Sequence, residues 1–582
     1  MNANPIVSEI LSGAILSIEM ELEEFLARSW RCDSLRDGNN FSVKFYDKFG
    51  RSLTSKMLGT GIDSILTKFC TKEINSGDAF IQNDSFLSLN GIGDSSEICI
   101  TQPLFAEKEL ISFLQVRAQH DDLGGINFGG TSTHSEDNFH EGIIIEPIKI
   151  KEGQKLKEEI FNLIVQNSRQ PDILKDDLHL KISVLNLGAQ QLKELIKRYG
   201  KDELKACFSD LLRESKDAFG NLIGKNIKDG KWKVKKTIAP NHFGSKNHVS
   251  LTLLKKGKEL SLNFTGSSDQ SERPINCPLH GNGVKFISRL LTPFLLQLEN
   301  DTEQRNNIRV NDGACKSLEI ILPETRTLVT PDFPAPIGLR LITISSIISG
   351  FNELLFKASS GKTRVGFENL NTLSFFSENK KNRTTLFRES IGSGSGASFN
   401  SDGMSSVLPI SGTGRIPVEI AESRYPLQII REELTVDSAG HGKFRGGLGV
   451  TKEYLLKDDS LISIARNDDE TSVLGKLGGH SGSQSKQSIC NKGSNKRSLP
   501  SIISSEKIAI GERLTIQAPG GGGFGNPLRR NIQLVKEDVL RGYISRSIAM
   551  KTYGIIFKNN KNLEIDEKLT KKERDQQSKK KK

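Results

Sequence analysis

Three glycine runs limit what this chain can fold into: Gly392-Ser393-Gly394-Ser395-Gly396, Phe444-Arg445-Gly446-Gly447-Leu448-Gly449 and Pro519-Gly520-Gly521-Gly522-Gly523-Phe524-Gly525. Without a Cβ, glycine contributes no side chain to a core and disfavours helix, but it lets backbones approach closely. The runs therefore predict tight turns and close backbone packing. The competing reading is a phosphate cradle. Neither the first nor the last run ends in Gly-Lys-Ser/Thr or sits in a strand–loop–helix unit, so nucleoside triphosphate binding is not expected in this chain.

Around these runs the hydrophobic period changes several times along 582 residues, which predicts an α+β protein: a large mixed α/β body with a β-rich C-terminal region. Asn4 and Pro5 open a helix carrying Ile6, Ile10, Ala14, Ile15, Ile18, Leu22 and Phe25 at helical spacing. Phe41–Tyr46, Ala79–Gln82, Glu97–Ile100 and Ile111–Ala118 read as strands. Helices follow from about Glu158 to Ile227, parted by Gly200, then from Val284 to Leu298 with a break at Pro293, and from Ile342 to Lys357. The expected subregions are 1–155 (α/β, holding the candidate site), 156–240 (helical), 241–410 (mixed α/β) and 411–557 (β-rich), with 558–582 as a basic, disordered tail. Ser481–Ser498, polar throughout except Ile489, reads as an exposed loop.

Charge and cysteine usage exclude several roles. The net charge is +11, but Lys571–Lys582 alone carries seven Lys/Arg against Glu573 and Asp575. The remaining excess is spread out, without a basic stripe or aromatic interleaving, so no nucleic-acid function is expected. No run of eighteen apolar residues suggests a membrane span, and no basic-then-apolar leader opens the chain. Seven scattered cysteines without zinc-type spacing fit reduced thiols, and a cytoplasmic protein is expected.

Side chains able to do chemistry are sparse, with only nine histidines. If the strand from Ile111 continues, His120 and Asp122 project from one face as two metal ligands, with His140 a third and Asp94 a fourth. Such a set suits manganese, zinc or iron, and would polarise a carbonyl or acidify a bound water. The alternative leaves His120 bonded to a loop carbonyl and His140 on the surface. Asn83 and Asp84 suit either a pocket or ordinary turn capping, and Asn276 and Asn311 either orient a ligand or bridge loops. Arg340 and Arg415 can grip a carboxylate with two hydrogen bonds. His134 reads as solvent-exposed, His280 as able to line a pocket, and His179 as a strand or surface residue.

From Asn4 to about Phe557 the ordered motifs resemble the hydantoinase B/5-oxoprolinase family. They include Asn40-Phe41-Ser42, Gly77-Asp78, Asn83-Asp84, Arg117 to Gly125, Glu141-Gly142, Phe264 to Ser268, Pro274-Ile275-Asn276, Asn311-Asp312-Gly313, Asp402-Gly403, Pro417-Val418-Glu419, Glu422 to Pro426, Arg445-Gly446-Gly447 and Pro519 to Gly525. The resemblance implies a chain that pairs with an A-type subunit carrying ATP and Mg. The partner activates a carbonyl or lactam oxygen, and this chain handles ring opening of a cyclic amide or imide. In acetone and acetophenone carboxylase relatives it handles carbon–carbon bond formation instead. It also implies a hetero-oligomer and, in some members, a divalent metal. Several family histidines are replaced here. Gln119-His120 stands for an adjacent pair, Asn90 to Asp94 keeps the aspartate without the histidine, Leu408 to Arg415 replaces a His-x-His motif, Thr54 to Ile62 lacks its histidine, and Asn526 replaces an aspartate. Imidazole lost to Gly, Leu or Ile removes lone pair and proton donor together. A non-catalytic paralogue that stabilises or regulates such a complex is the alternative reading.

Overall fold

The computed structural model describes residues 4–54, 62–87, 96–130, 132–243, 246–281, 283–366, 371–378, 384–408, 415–467, 473–491, 496–558 and 563–580. A first antiparallel sheet takes the strands in the order Phe41–Asp47, Glu109–Gln119, Glu97–Ala106, Ala79–Gln82, Ile148–Glu152 and Lys155–Leu156. The helix Pro5–Ser29, capped by Asn4 Oδ1 accepting from Ile6 N at 3.0 Å, buries Leu11, Ile15, Leu22 and Leu26. Its glutamates also close the sheet. Phe41–Asp47 is an edge strand, and its outward Phe45 and Val43 N–H groups donate to Glu19 Oε1 (2.7 Å) and Glu23 Oε1 (2.8 Å). An edge covered this way cannot recruit a foreign strand.

Two long helices, Pro171–Tyr199 and Lys201–Asn226, join at Gly200, whose φ of 89° is left-handed territory that glycine enters without strain. They share one core with the first sheet and the N-terminal helix. A second sheet orders Leu318–Ile321, Glu259–Asn263, His248–Lys256 and Gly230–Thr237, its first pair parallel. Arg340–Ala358 packs on this sheet. That helix is long and apolar enough to cross a membrane, but 78% of its most apolar window is buried in the core. The helix Gly283–Leu291 gives way to a 3₁₀ turn, Thr292–Leu298, at Pro293, as its missing N–H requires.

The C-terminal half holds two further sheets. One runs Thr384–Ser390, Asn371–Glu378, Ser460–Arg466, Ile502–Ile508. The other runs Leu427–Leu434, Val450–Leu456, Arg513–Gln517, Lys486–Cys490, Lys496–Ser498. Beside their shared side-chain core, the glycine runs pack backbone on backbone. The segment from Pro519 accepts from Gly394 N (2.9 Å, at Pro519 O) and Gly440 N (2.7 Å, at Gly521 O). It donates to Gly447 O (2.9 Å, from Gly521 N) and His480 O (2.9 Å, from Gly523 N). A Cβ on Gly447 would stand 1.8 Å from Met404 O, and one on Gly521 2.0 Å from Ser395 O. The expected close packing is observed, and the runs are neighbours.

Two expectations are corrected. Ser481–Ser498 is not an open loop, because Lys486–Cys490 and Lys496–Ser498 pair as antiparallel strands. The basic tail carries a docked helix, Glu567–Lys580. Arg574 donates to Tyr553 O (2.8 Å) and Arg530 O (2.9 Å), and the buried Thr570 hydroxyl accepts from Ile556 N (2.9 Å). Composition suggested disorder because the anchor is two polar side chains rather than an apolar stripe.

Candidate functional site

The strand Glu109–Gln119 ends one residue before His120, so the expected shared face of His120 and Asp122 does not form. His120 N donates to Ser96 O at 3.0 Å, and the ring turns inward, edge-on to Trp30 with centroids 6.2 Å apart. Its Nδ1 lies 3.8 Å from Asp177 Oδ2, on a helix that sequence reading did not connect to it. Asp177 accepts from Arg31 N (2.8 Å) and Cys32 N (3.1 Å), and Lys181, one turn on, donates to Ile98 O at 3.0 Å. Burial sets the charges here. It drives His120 well below its usual range with help from Lys181, raises Asp177 to about 7 and lowers Lys181 to about 7.

Asp122 and His140 face other groups. Arg169 closes over Asp122, giving its N–H to Oδ2 at 2.6 Å and its guanidinium to Oδ1, while also holding Gly125 O. Burial still raises the Asp122 pKa against the bonds from Arg169. His140 N is capped by Asp137 Oδ1 (3.1 Å), and its Nδ1 accepts from Glu136 N (3.2 Å). Among the described residues no three His, Cys, Asp or Glu side chains are grouped to hold a metal ion. As placed, His120, Asp122 and His140 do not fit a metal centre. Asp94, Gly91 and Ile410 lie outside the described residues.

Asn83 and Asp84 act on a loop instead. Asn83 Nδ2 donates to Ile143 O (2.8 Å) and its Oδ1 accepts from Ile145 N (2.6 Å), while Asp84 Oδ1 accepts from Phe86 N (2.8 Å) and Leu87 N (3.1 Å). Burial raises the Asp84 pKa against those two bonds. Glu141, quoted in the sequence motif but given no role there, ties this loop to the next: its Oε1 accepts from Ile337 N (2.9 Å) and Gly338 N (2.6 Å). Between the tied loops opens a cleft of about 830 Å³. Glu136, Asp137, Asp269, Arg273, Arg326 and Pro334 are among its walls. That size suits a small organic ligand.

The other candidates lie apart from these loops or bridge them. Arg415 is exposed and paired with Glu432, which lies 3.5 Å from the buried Lys452. Lys452 meets Glu389 at 2.5 Å, and Tyr454 donates to the same carboxylate at 2.6 Å. Asn276 bridges loops, with Nδ2 on Ser271 O and Pro336 O, and Asn311 caps a short helix at Gly313 N. Arg340 is buried at the start of its helix. His134 is exposed as expected, and His280 lies half-buried beside Phe86. His179 sits on the helix Pro171–Tyr199, not a strand, against Phe161. Asp177, Lys181 and Arg169 escaped sequence reading because the nearest of them stands 47 positions beyond the motif it closes on.

The sequence profile of the hydantoinase B/oxoprolinase family matches residues 4–527. The chain belongs to that family. It is 26% identical to the B chain of a putative D-/L-hydantoinase of Pseudomonas sp. (strain NS671), over 97% of each chain. It is 30% identical to an uncharacterized protein of Methanocaldococcus jannaschii, over 86% of this chain and 85% of that one. The fold matches the ATP-dependent caprolactamase from Pseudomonas jessenii with a TM-score of 0.85, at 21% identity over 99% of this chain and 100% of that one. It also matches nucleotide-free acetone carboxylase with a TM-score of 0.82, at 17% identity over 99% and 83%. The large mixed body with β-rich C-terminal sheets is thus the fold of these hydantoinase B relatives. In this family member the first and third glycine runs pack on each other and on Gly447, which leaves no open cradle between them.

Proposed function

We propose that this chain is the B-type component of an ATP-dependent hydrolase that opens a cyclic amide or imide, working with a separate A-type subunit that carries ATP and Mg and activates the ring carbonyl. The observation that supports this reading most directly is end-to-end similarity to one chain of a putative hydantoinase, covering 97% of both. It also aligns along 96% of its length with the beta chain of the Pseudomonas jessenii caprolactamase. By contrast it spans only 40% of the 5-oxoprolinase of Dictyostelium discoideum and 42% of that of Saccharomyces cerevisiae. What those longer chains carry in their remainder is assigned here to the partner, in a cytoplasmic hetero-oligomer.

In this reading the cleft beside the Glu141 loop receives the ring. Asn83 and Asp84 hold the loop beside it, and Arg273 and Arg326, set among the carboxylates of its walls, supply cationic donors to an oxygen-rich substrate. A metal at His120, Asp122 and His140 has no part in it, because Arg169 and Asp177 already engage that neighbourhood. Those same contacts favour a second reading, a paralogue that stabilises the complex without turnover.

The test is reconstitution with the A-type subunit, following ATP hydrolysis and ring-opened product on hydantoin, 5-oxoproline and caprolactam. Product requiring ATP and both chains is expected, with at least about a tenfold loss in Asp84→Asn at unchanged assembly. ATP hydrolysis supported by this chain with no ring opening would establish the second reading. Bicarbonate-dependent product from a ketone would move the chain to the carboxylase branch.

A further inference from the structure

A second cleft, of about 400 Å³, opens in the C-terminal half and shares no wall residue with the first. Its floor comes from the polar segment that composition marks as a loop. There Lys486–Cys490 pairs with Lys496–Ser498 on one side and with Arg513–Gln517 on the other. Residues directly opposite in an antiparallel pair send their side chains to the same face, and so do residues two apart in a strand. Ser488 is opposite both Ser498 and Thr515, and Lys486 is opposite Gln517, so these five share one face with Lys496. All six line the cleft. Ile489, Leu514 and Ile516, on the other face, are buried in the core.

The inner wall is held in place, and the charge is one-sided. Arg466, 4% exposed, gives Nη1 to Gln487 Oε1 at 3.2 Å, and Gln487 Nε2 donates to Pro500 O. Leu499 N donates to Gln487 O at 3.0 Å and pins the chain that leaves the edge strand. Walls held this way lose little freedom when a ligand arrives. The described wall residues include three cations, Arg466, Lys486 and Lys496, and no carboxylate, whereas the first cleft sets four carboxylates against two arginines. Glu453, opposite Thr515 on the next strand, pairs with Arg513 at 3.2 Å. Neither lysine meets a carboxylate among the described residues. Asp468, Asp469 and Glu470, which follow Arg466 in sequence, lie outside them.

Lys486 opens its strand and Lys496 lies opposite Cys490 at the far end, so the two cations stand roughly 14 Å apart along the strand pair. Between them lie hydroxyls and an amide, which both donate and accept hydrogen bonds. Among the described walls only Leu499 and Pro500 are apolar, which offers a nucleobase little to stack on. We propose that this cleft binds a sugar bisphosphate, its two phosphates on Lys486 and Lys496 and its hydroxyls on Ser488, Ser498, Thr515 and Gln517. A bare phosphate would leave the hydroxyls unused, and a neutral sugar would leave the lysines unused. The volume falls within the range of small-ligand sites, about 300–1,000 Å³. The site is formed within this chain, so binding requires neither ATP nor the A-type subunit.

The test titrates the full chain calorimetrically at one fixed ionic strength, since exposed ion pairs are screened by salt. The probes are fructose 1,6-bisphosphate, fructose 6-phosphate, fructose, and 1,6-hexanediol bisphosphate, which carries both phosphates and no free hydroxyl. Fructose 1,6-bisphosphate is expected to bind about tenfold more tightly than either the monophosphate or the hexanediol compound, and fructose not at all. Lys486→Gln and Lys496→Gln should each bring the sugar bisphosphate down to about the affinity of the monophosphate. Both lysines are exposed, so the variants should fold, as circular dichroism would verify. No binding of the sugar bisphosphate, or an affinity that survives both lysine variants, would overturn the site. Equal affinity for the hexanediol compound would overturn it too, because charge alone would then be recognised.

Discussion

Two buried polar clusters, one under His120 and one beside the glycine bundle, are satisfied in opposite ways. Under His120, Asp177 and Lys181 touch chiefly backbone: Asp177 accepts from Arg31 N and Cys32 N, and Lys181 donates to Ile98 O. Beside the glycine bundle, charge meets charge. Arg530 gives both terminal nitrogens to Asp402 at 2.7 Å and its Nε to Asp538 at 3.1 Å, and Arg445 Nε reaches the other Asp538 oxygen at 3.3 Å. Burial moves the first set toward neutrality, with Asp177 and Lys181 each brought to about 7. Pairing holds Asp402 ionised, its carboxyl lowered despite burial by Arg530 and Arg445. The first arrangement responds to pH near 7, whereas in the second Asp402 is held ionised and burial raises the carboxyl of Asp538.

The halves differ in their cores as well. In the glycine bundle an added methyl meets backbone that has nowhere to move, 1.8 Å from Met404 O in the case of Gly447→Ala. We expect that substitution to cost more than about 4 kcal/mol and to leave little soluble protein. A soluble Gly447→Ala protein melting within a few degrees of the natural chain would show that the bundle can spread. The N-terminal core is made of side chains such as Leu114, fully buried under the long helices, and truncation there leaves a cavity. Leu114→Ala is expected to cost about 2–5 kcal/mol, read from the denaturant midpoint.

This contrast also marks what the sequence made legible. Helices with caps and period, such as Asn4–Pro5 and the Gly200 junction, were readable because the signal is local. The glycine runs announced close packing, but not that Gly394, Gly447 and Gly521 pack on one another, since hydrogen bonding between distant backbones has no side-chain signature. At the site, Asp84 caps its own turn, one of the two roles its sequence context offered, whereas Asn83 bonds Ile143 O and Ile145 N, far along the chain. The partners of His120 and Asp122 were not legible. Asp177 and Arg169 reach them from the helical region, and nothing in a solvent-facing helical pattern marks an acid that folds inward.

The paired charges of the C-terminal half can be broken from one side. Arg530→Met keeps most of the length of the side chain but leaves Asp402 and Asp538 without their shared cation. A buried pair broken on one side costs about 3–5 kcal/mol. Denaturant titration should show that loss at neutral pH, and lowering the pH toward the carboxylate range should recover part of it as the two acids protonate. Full stability at pH 7 would mean Arg445 alone neutralises both.

The smallest effect, and the sharpest for the comparison, is the pH slope of the N-terminal half. A lysine whose folded pKa is lowered to about 7 binds fewer protons folded than unfolded between about 7 and its ordinary value. Its contribution is therefore complete at high pH and is lost as pH falls to about 7. Asp177, raised to about 7, acts in the other direction: its contribution is complete at low pH and is lost as pH rises from the carboxylate range to about 7. Together they predict stability that falls toward pH 7 from the acid side and climbs again above it. Lys181→Met has nearly the same length, forfeits one hydrogen bond to Ile98 O, and removes only the alkaline arm. Urea midpoints of the natural chain and Lys181→Met, followed from about pH 6 to about pH 10 across that arm, should converge at the alkaline end and separate at the acid end, with the variant relatively more stable there. Parallel curves across that range would mean the lysine stays charged inside the fold, held by Asp177, and that this cluster too is satisfied by pairing.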